Sequence, residues 1–145
     1  MIKKTLSIIF LCFLITSSEV FAANWIHTGK SSHAGEPVND YIDSDSVVTN
    51  GDTIIFWSLT VWEKPDMFIG AKLELQKWEA KQKRQGRALE IYRYDANKKL
   101  IHSIPSIKSN SFTSYDANSP GAKMIEAAFK NAKAGKDSGQ KPALP

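Results

Sequence analysis

Apolar and polar positions alternate most regularly over Thr53–Trp62, where Ile55, Trp57, Leu59 and Val61 share one parity and Ile54 and Phe56 open the other. A two-residue period with both parities apolar at its start predicts a central β-strand covered on both faces. Upstream, Asn24–Thr28 and Val38–Ile42 read as short strands. Residues 29–37, a stretch of Gly, Ser, His and Pro, read as the surface loop between them. Asp43-Ser44-Asp45-Ser46 reads as a turn into Val47-Val48, and Asn50-Gly51 as a tight hairpin, since that pair tolerates positive φ. Lys64-Pro65-Asp66 breaks the long strand, and Met67–Gly70 is a connector without a period.

Strand spacing returns over Ala71–Ile104. With Gln85-Gly86 as a two-residue loop, Arg84 faces Arg87, Lys81 faces Glu90, Trp78 faces Arg93 and Lys77 faces Tyr94. That register places Trp78, Ala80, Leu89 and Ile91 on one side and Lys77, Glu79, Lys81, Lys83, Glu90, Tyr92 and Tyr94 on the other. Leu73 and Leu75 have the wrong parity for the apolar side, so either a β-bulge lies between Leu75 and Trp78 or the register is off by one. Asp95–Lys98 reads as a second turn and Leu100–Ile104 as a short strand. The period then changes. Ser119 is a natural N-cap, Pro120 suits the first helical position, and Ile125, Ala128, Phe129 and Ala132 form a helical stripe ending at Gly135. One amphipathic helix after a run of strands must cover the sheet. The expected class is α+β, an antiparallel sheet of about six strands with a C-terminal helix packed on one face.

The N-terminal pattern is of another kind. Lys3 and Lys4 precede an apolar stretch from Leu6 to Ile15, and Val20-Phe21-Ala22 offers a small-x-small exit, the layout of a cleaved signal peptide. The apolar run is shorter than the ~20 residues of a spanning helix. Cys12, the one cysteine, lies inside that run and away from the cleavage point, where a lipid anchor is not expected. The expected organisation is a signal peptide over 1–22, one domain over 23–135 and a disordered tail over 136–145. Export leads to the periplasm or the outer cell surface. Loss of Lys3, Lys4 and Glu19 leaves 17 basic and 14 acidic side chains, a net charge of +3. That excess is modest for a nucleic-acid binder and suits acidic glycans, lipid head groups or proteins better. Without cysteine, packing and hydrogen bonds must hold the fold.

Catalytic patterns are lacking: there is no phosphate loop, nucleophile elbow or metal-spaced histidine pair, so neither an enzyme nor a cofactor is expected. His27, His33 and His102 are scattered, and Asp40, Asp43, Asp45 and Asp52 lack the order of a calcium loop and read as turn formers. Trp57, Trp62 and Trp78, at strand spacing, read as core. The best candidate site is Lys77, Lys81, Lys83, Arg84 and Arg87 with Tyr92 and Tyr94 opposite. Like charges on a rigid hairpin can hold an acidic glycan or protein, and Tyr adds contact area at low entropic cost. A basic hairpin tip is also an ordinary solvated edge that resists aggregation.

These landmarks together resemble the surface-adhesin protein E family of exported bacterial proteins. The matching pieces are Trp25, Tyr41-Ile42-Asp43 before Ser46-Val47 and Asn50-Gly51, and Ile54–Val61 with Trp57 before Lys64-Pro65. Ala71-Lys72, Arg93-Tyr94-Asp95 and Ser119-Pro120-Gly121 complete the set. The resemblance implies a bent antiparallel sheet with the helix across its concave face, and binding of host matrix or plasma proteins such as vitronectin, laminin and plasminogen, with some members forming homodimers. Many members carry one cysteine near the position of Ala80 and another in the helix; this chain has neither. The expected function is a non-enzymatic, exported binding domain. The alternative is a periplasmic small-ligand module, taking an apolar or planar molecule such as haem, or an envelope housekeeping module.

Overall fold

A computed structural model describes residues 22–108 and 110–145. Residues 1–21, nearly all of the expected signal peptide, lie outside the described residues. The strands are β1 (Trp25–His33), β2 (Glu36–Asp43), β3 (Val48–Asn50), β4 (Thr53–Trp62), β5 (Leu73–Lys81), β6 (Gln85–Tyr94), β7 (Leu100–Ile104) and β8 (Thr113–Ser114), followed by helix α1 (Pro120–Lys130). They form one sheet in the order β1-β2-β4-β5-β6-β7, with β3 beside β4 and β8 beside β6, all paired antiparallel. The architecture is a mostly antiparallel sheet with one C-terminal helix.

Residues 29–37 are not a loop. β1 and β2 run almost to contact and turn at Ala34-Gly35, whose φ values of 50° and 84° make a two-residue hairpin. An edge strand is half exposed, so its Lys, Ser and His leave no apolar alternation for the sequence to show. The long strand is central as expected, with β2 and β3 on one side and β5 on the other.

Both faces of the sheet are apolar. On the first, Ile42, Val47, Ile54, Phe56, Trp78 and Ala80 pack under Met124, Ile125 and Ala128 of α1. On the second, Trp57, Leu59, Leu73, Leu75 and Tyr94 gather with Trp25, Tyr41 and Tyr92. Leu73 and Leu75 therefore need no bulge in β5, because they belong to the second face. Ser119 caps the helix as its hydroxyl accepts the Ala122 amide at 3.3 Å. Tyr115 lies so close to the first turn that a Cβ on Gly121 would come within 2.6 Å of its ring.

Candidate functional site

The hairpin of β5 and β6 differs from the expected register. The loop is Gln82–Arg84, with Lys81 opposite Gln85, Lys77 opposite Glu90 and Trp78 opposite Ala88. Gln85-Gly86 is strand, and the bulge falls on β6, where one residue more than on β5 separates Ala88 from Glu90. Arg84 does not face Arg87, nor Lys81 Glu90, nor Lys77 Tyr94, nor Trp78 Arg93.

This register divides the seven candidate residues into three groups. Lys83 and Arg84 form the tip, both with positive φ, and Arg84 Nε donates to the Tyr115 carbonyl at 3.2 Å, beside the end of α1. Lys81 and Arg87 both lie over the Phe112 ring, at 4.3 and 4.4 Å from its centre. Arg87 is also held by Glu79, with Nη2 and Nε at 2.6 and 2.9 Å from Oε2. Lys77, Tyr92 and Tyr94 are on the second face. The hairpin cations are thus not one continuous patch, and two of them have acidic partners.

The second-face group is the best-formed of the three. Lys77 is only 7% exposed and its ammonium meets Asp137 Oδ2 at 2.5 Å, with the Trp57 ring centre 5.9 Å away. Tyr92 tilts against Trp57, ring centres 6.1 Å apart. Lys141 Nζ sits 4.0 Å above the Tyr92 ring and donates to the Tyr94 hydroxyl at 3.1 Å. Leu144 packs against the Trp57, Leu59 and Leu75 cluster. Burial, then the Glu90 carboxylate, pushes the Tyr92 phenol above its ordinary pKa and keeps it neutral. Residues 136–145, read from composition as a disordered tail, form neither helix nor strand and supply these contacts. They reach this face around the β3 edge, where the Lys133 amide donates to the Val47 carbonyl at 3.3 Å and the Lys133 carbonyl accepts from Thr49 at 3.1 Å. A cavity of about 250 Å³ lies between this segment and the Asp43–Ser46 turn.

Sequence reasoning missed Trp57 and the C-terminal segment as parts of this group. The parity of Trp57 matched that of Leu59, but nothing local indicated that the tail returns to them.

The remaining candidates lie apart. His27 is edge-on to Tyr41, His33 to Trp62, and His102 is near Arg93. Asp40 accepts Ser31 and Thr60 hydroxyls at 2.8 and 2.9 Å. Asp43 caps a 3-10 turn over Ser44–Ser46. Among the described residues no three His, Cys, Asp or Glu side chains are grouped to hold a metal ion, and no helix is long and apolar enough to cross a membrane. The chain matches no protein-family model, no curated protein and no solved structure.

Proposed function

We propose that this chain is an exported, non-enzymatic binding domain of the protein E-like kind, and that its second sheet face takes an extended stretch of a partner protein. One observation carries this reading. A floor of Trp57, Tyr92, Tyr94, Leu59 and Leu75 is covered by ten residues of irregular chain, where a second layer of strands or helices is usual. Rigid aromatic rings beside a cation are the surface that proteins use to grip extended peptides. The groups with raised pKa, Asp43, Tyr92 and Tyr115, lie on separate elements and do not converge as an acid–base pair would.

Binding to immobilised laminin, vitronectin, plasminogen and heparin, measured by interferometry, tests it. With the covering segment already released by Asp137→Asn and Leu144→Ser, Tyr92→Ser and Lys77→Gln should each weaken protein binding several-fold, since truncating a central aromatic or charged anchor has that effect. Folded variants that bind as well as that released background would remove the second face from consideration. Neutralising Lys81, Lys83, Arg84 and Arg87 together should instead affect heparin, with a strong dependence on salt. Protease treatment of intact cells tests surface display, with cleavage expected. A small-ligand module is the second reading, favoured by the cavity beside Asp43; at about 250 Å³ it lies below the ordinary range for such sites.

A further inference from the structure

The five large apolar side chains that stand exposed among the described residues all lie at one end of the sheet. Met67 (77%), Phe68 (80%) and Ile69 (49%) are consecutive in the β4–β5 loop, and Leu100 and Ile101 begin β7. The ladder brings them together: Leu73, just past the loop, opposes Tyr94, and Tyr94 opposes Leu100. Single exposed apolar residues are ordinary, whereas three in succession at this exposure form a tip.

The loop is held rigidly. Asp66 Oδ1 accepts the Phe68 and Ile69 amides at 2.9 Å each, the Asp66 carbonyl accepts the Gly70 amide at 2.8 Å, and the Asp66 amide donates to Ala71 at 2.8 Å. Gly70, at φ +70°, closes the turn. The amides of Phe68, Ile69 and Gly70 therefore have partners within the loop, and entry into a low-dielectric phase does not orphan them. Lys64 and Lys72 flank the tip, and Lys98 and Lys99 occupy the neighbouring turn. The carboxylates of Asp66 and Asp95 are engaged by backbone amides of their own turns. Behind Phe68 and Ile69 lies a cavity of about 170 Å³, also lined by His33, Trp62 and Arg93, and by Glu74, whose Oε2 accepts Arg93 Nε at 2.6 Å. Trp62 is 3% exposed and its indole N–H has no acceptor among the described residues. A buried donor of this kind is stabilised by an oxygen arriving from outside.

We propose that this end of the sheet docks on a phospholipid surface. Met67, Phe68 and Ile69 enter the acyl boundary, Lys64 and Lys72 meet head-group phosphates, and a neutral ester carbonyl oxygen of one lipid reaches Trp62 Nε1. A stable protein interface needs roughly 800 Å² from each partner. A narrow tip flanked by Lys64, Pro65 and Lys72 offers no such apolar apron, whereas a fluid bilayer needs only the tip. Glu63, Asp66 and Asp95 share this end, so the electrostatic share is small and binding persists in salt. Shallow insertion of this kind is reversible.

The test is co-sedimentation of the protein, purified from exporting cells, with vesicles of phosphatidylethanolamine and phosphatidylglycerol. The Met67→Ser, Phe68→Ser double variant is expected to lose about tenfold or more in partitioning while melting as the parent does, because both side chains are solvated already. A Phe68→Trp variant should be quenched by brominated lipid tails. Failure of the parent to sediment, or sedimentation of the double variant at the parent's level, overturns the proposal. So does an unbound parent whose self-association disappears in the double variant, which assigns the tip to a second copy.

Discussion

Asp43 accepts backbone amides from Asn24 at 2.9 Å and Asp45 at 3.2 Å, yet burial outweighs both and raises its carboxyl above the ordinary range. Its folded pKa exceeds its unfolded one, so its contribution favours the fold fully below the unfolded value and is lost as pH rises through the folded value. Asp43→Asn keeps an oxygen acceptor and removes that ionisation. Urea denaturation from acid to neutral pH should show the variant gaining on the parent as pH rises through this window. A constant difference would mean that Asp43 does not titrate there. The position shows what was legible at this scale. Asp43 as a turn former and Ser119 as a cap were readable, and the hairpin at Asn50-Gly51 was readable to within one residue, its loop being Gly51-Asp52 after Asn50 pairs with Thr53, because each acts within a few residues of itself. The raised carboxyl was not, because its burial is set by chain far away in sequence.

At the scale of elements, the β5–β6 hairpin shows how a local rule misleads. Gln85-Gly86 has the look of a turn, but Gly86 lies in the ladder opposite Ala80 and is glycine because the helix leaves no room above it. A Cβ there would lie 3.0 Å from Ile125 Cδ1 and 3.3 Å from the Trp78 ring. The actual loop contains two side-chain-bearing residues in the left-handed region, Lys83 at φ 62° and Arg84 at φ 57°. Arg84 is tied to Tyr115 by its side chain and by its carbonyl, whereas no hydrogen bond or ion pair of Lys83 is found among the described residues. Lys83→Gly should therefore stabilise the fold by about 0.5 to 1 kcal/mol, the relief of left-handed strain less the entropy of a freer unfolded chain. Lys83→Val should do the reverse. Equal denaturation midpoints for the two variants would contradict this hairpin geometry. The parity of Leu73 and Leu75 misled for a related reason: assuming one apolar face turned a two-faced strand into a bulged one.

Across the whole molecule, α1 covers one face of the sheet and the segment after it crosses the β3 edge to cover the other. The two coverings are unequal. The helix brings Met124, Ile125 and Ala128 into a packed core, while the C-terminal segment holds by the Lys77–Asp137 pair, Lys141 over Tyr92, and Leu144. Lys77 needs a counter-charge while it is covered, yet when the segment leaves, water reaches the ammonium, so parting the ion pair adds little to the cost of exposing the apolar floor. On the proposed reading a segment seated this way would compete with the partner for the face, lowering the partner's apparent affinity by the fraction of time it is seated. Asp137→Asn with Leu144→Ser should release it. Tryptophan emission should then shift to the red and become more accessible to acrylamide as Trp57 meets solvent, and trypsin should cut more readily after Lys133 and Lys136. A partner that uses this face should bind the released variant several-fold more tightly than the parent. If emission and cleavage change but partner affinity does not, the segment is a structural cover and the binding site lies elsewhere. If neither changes, the segment does not hold this face in solution.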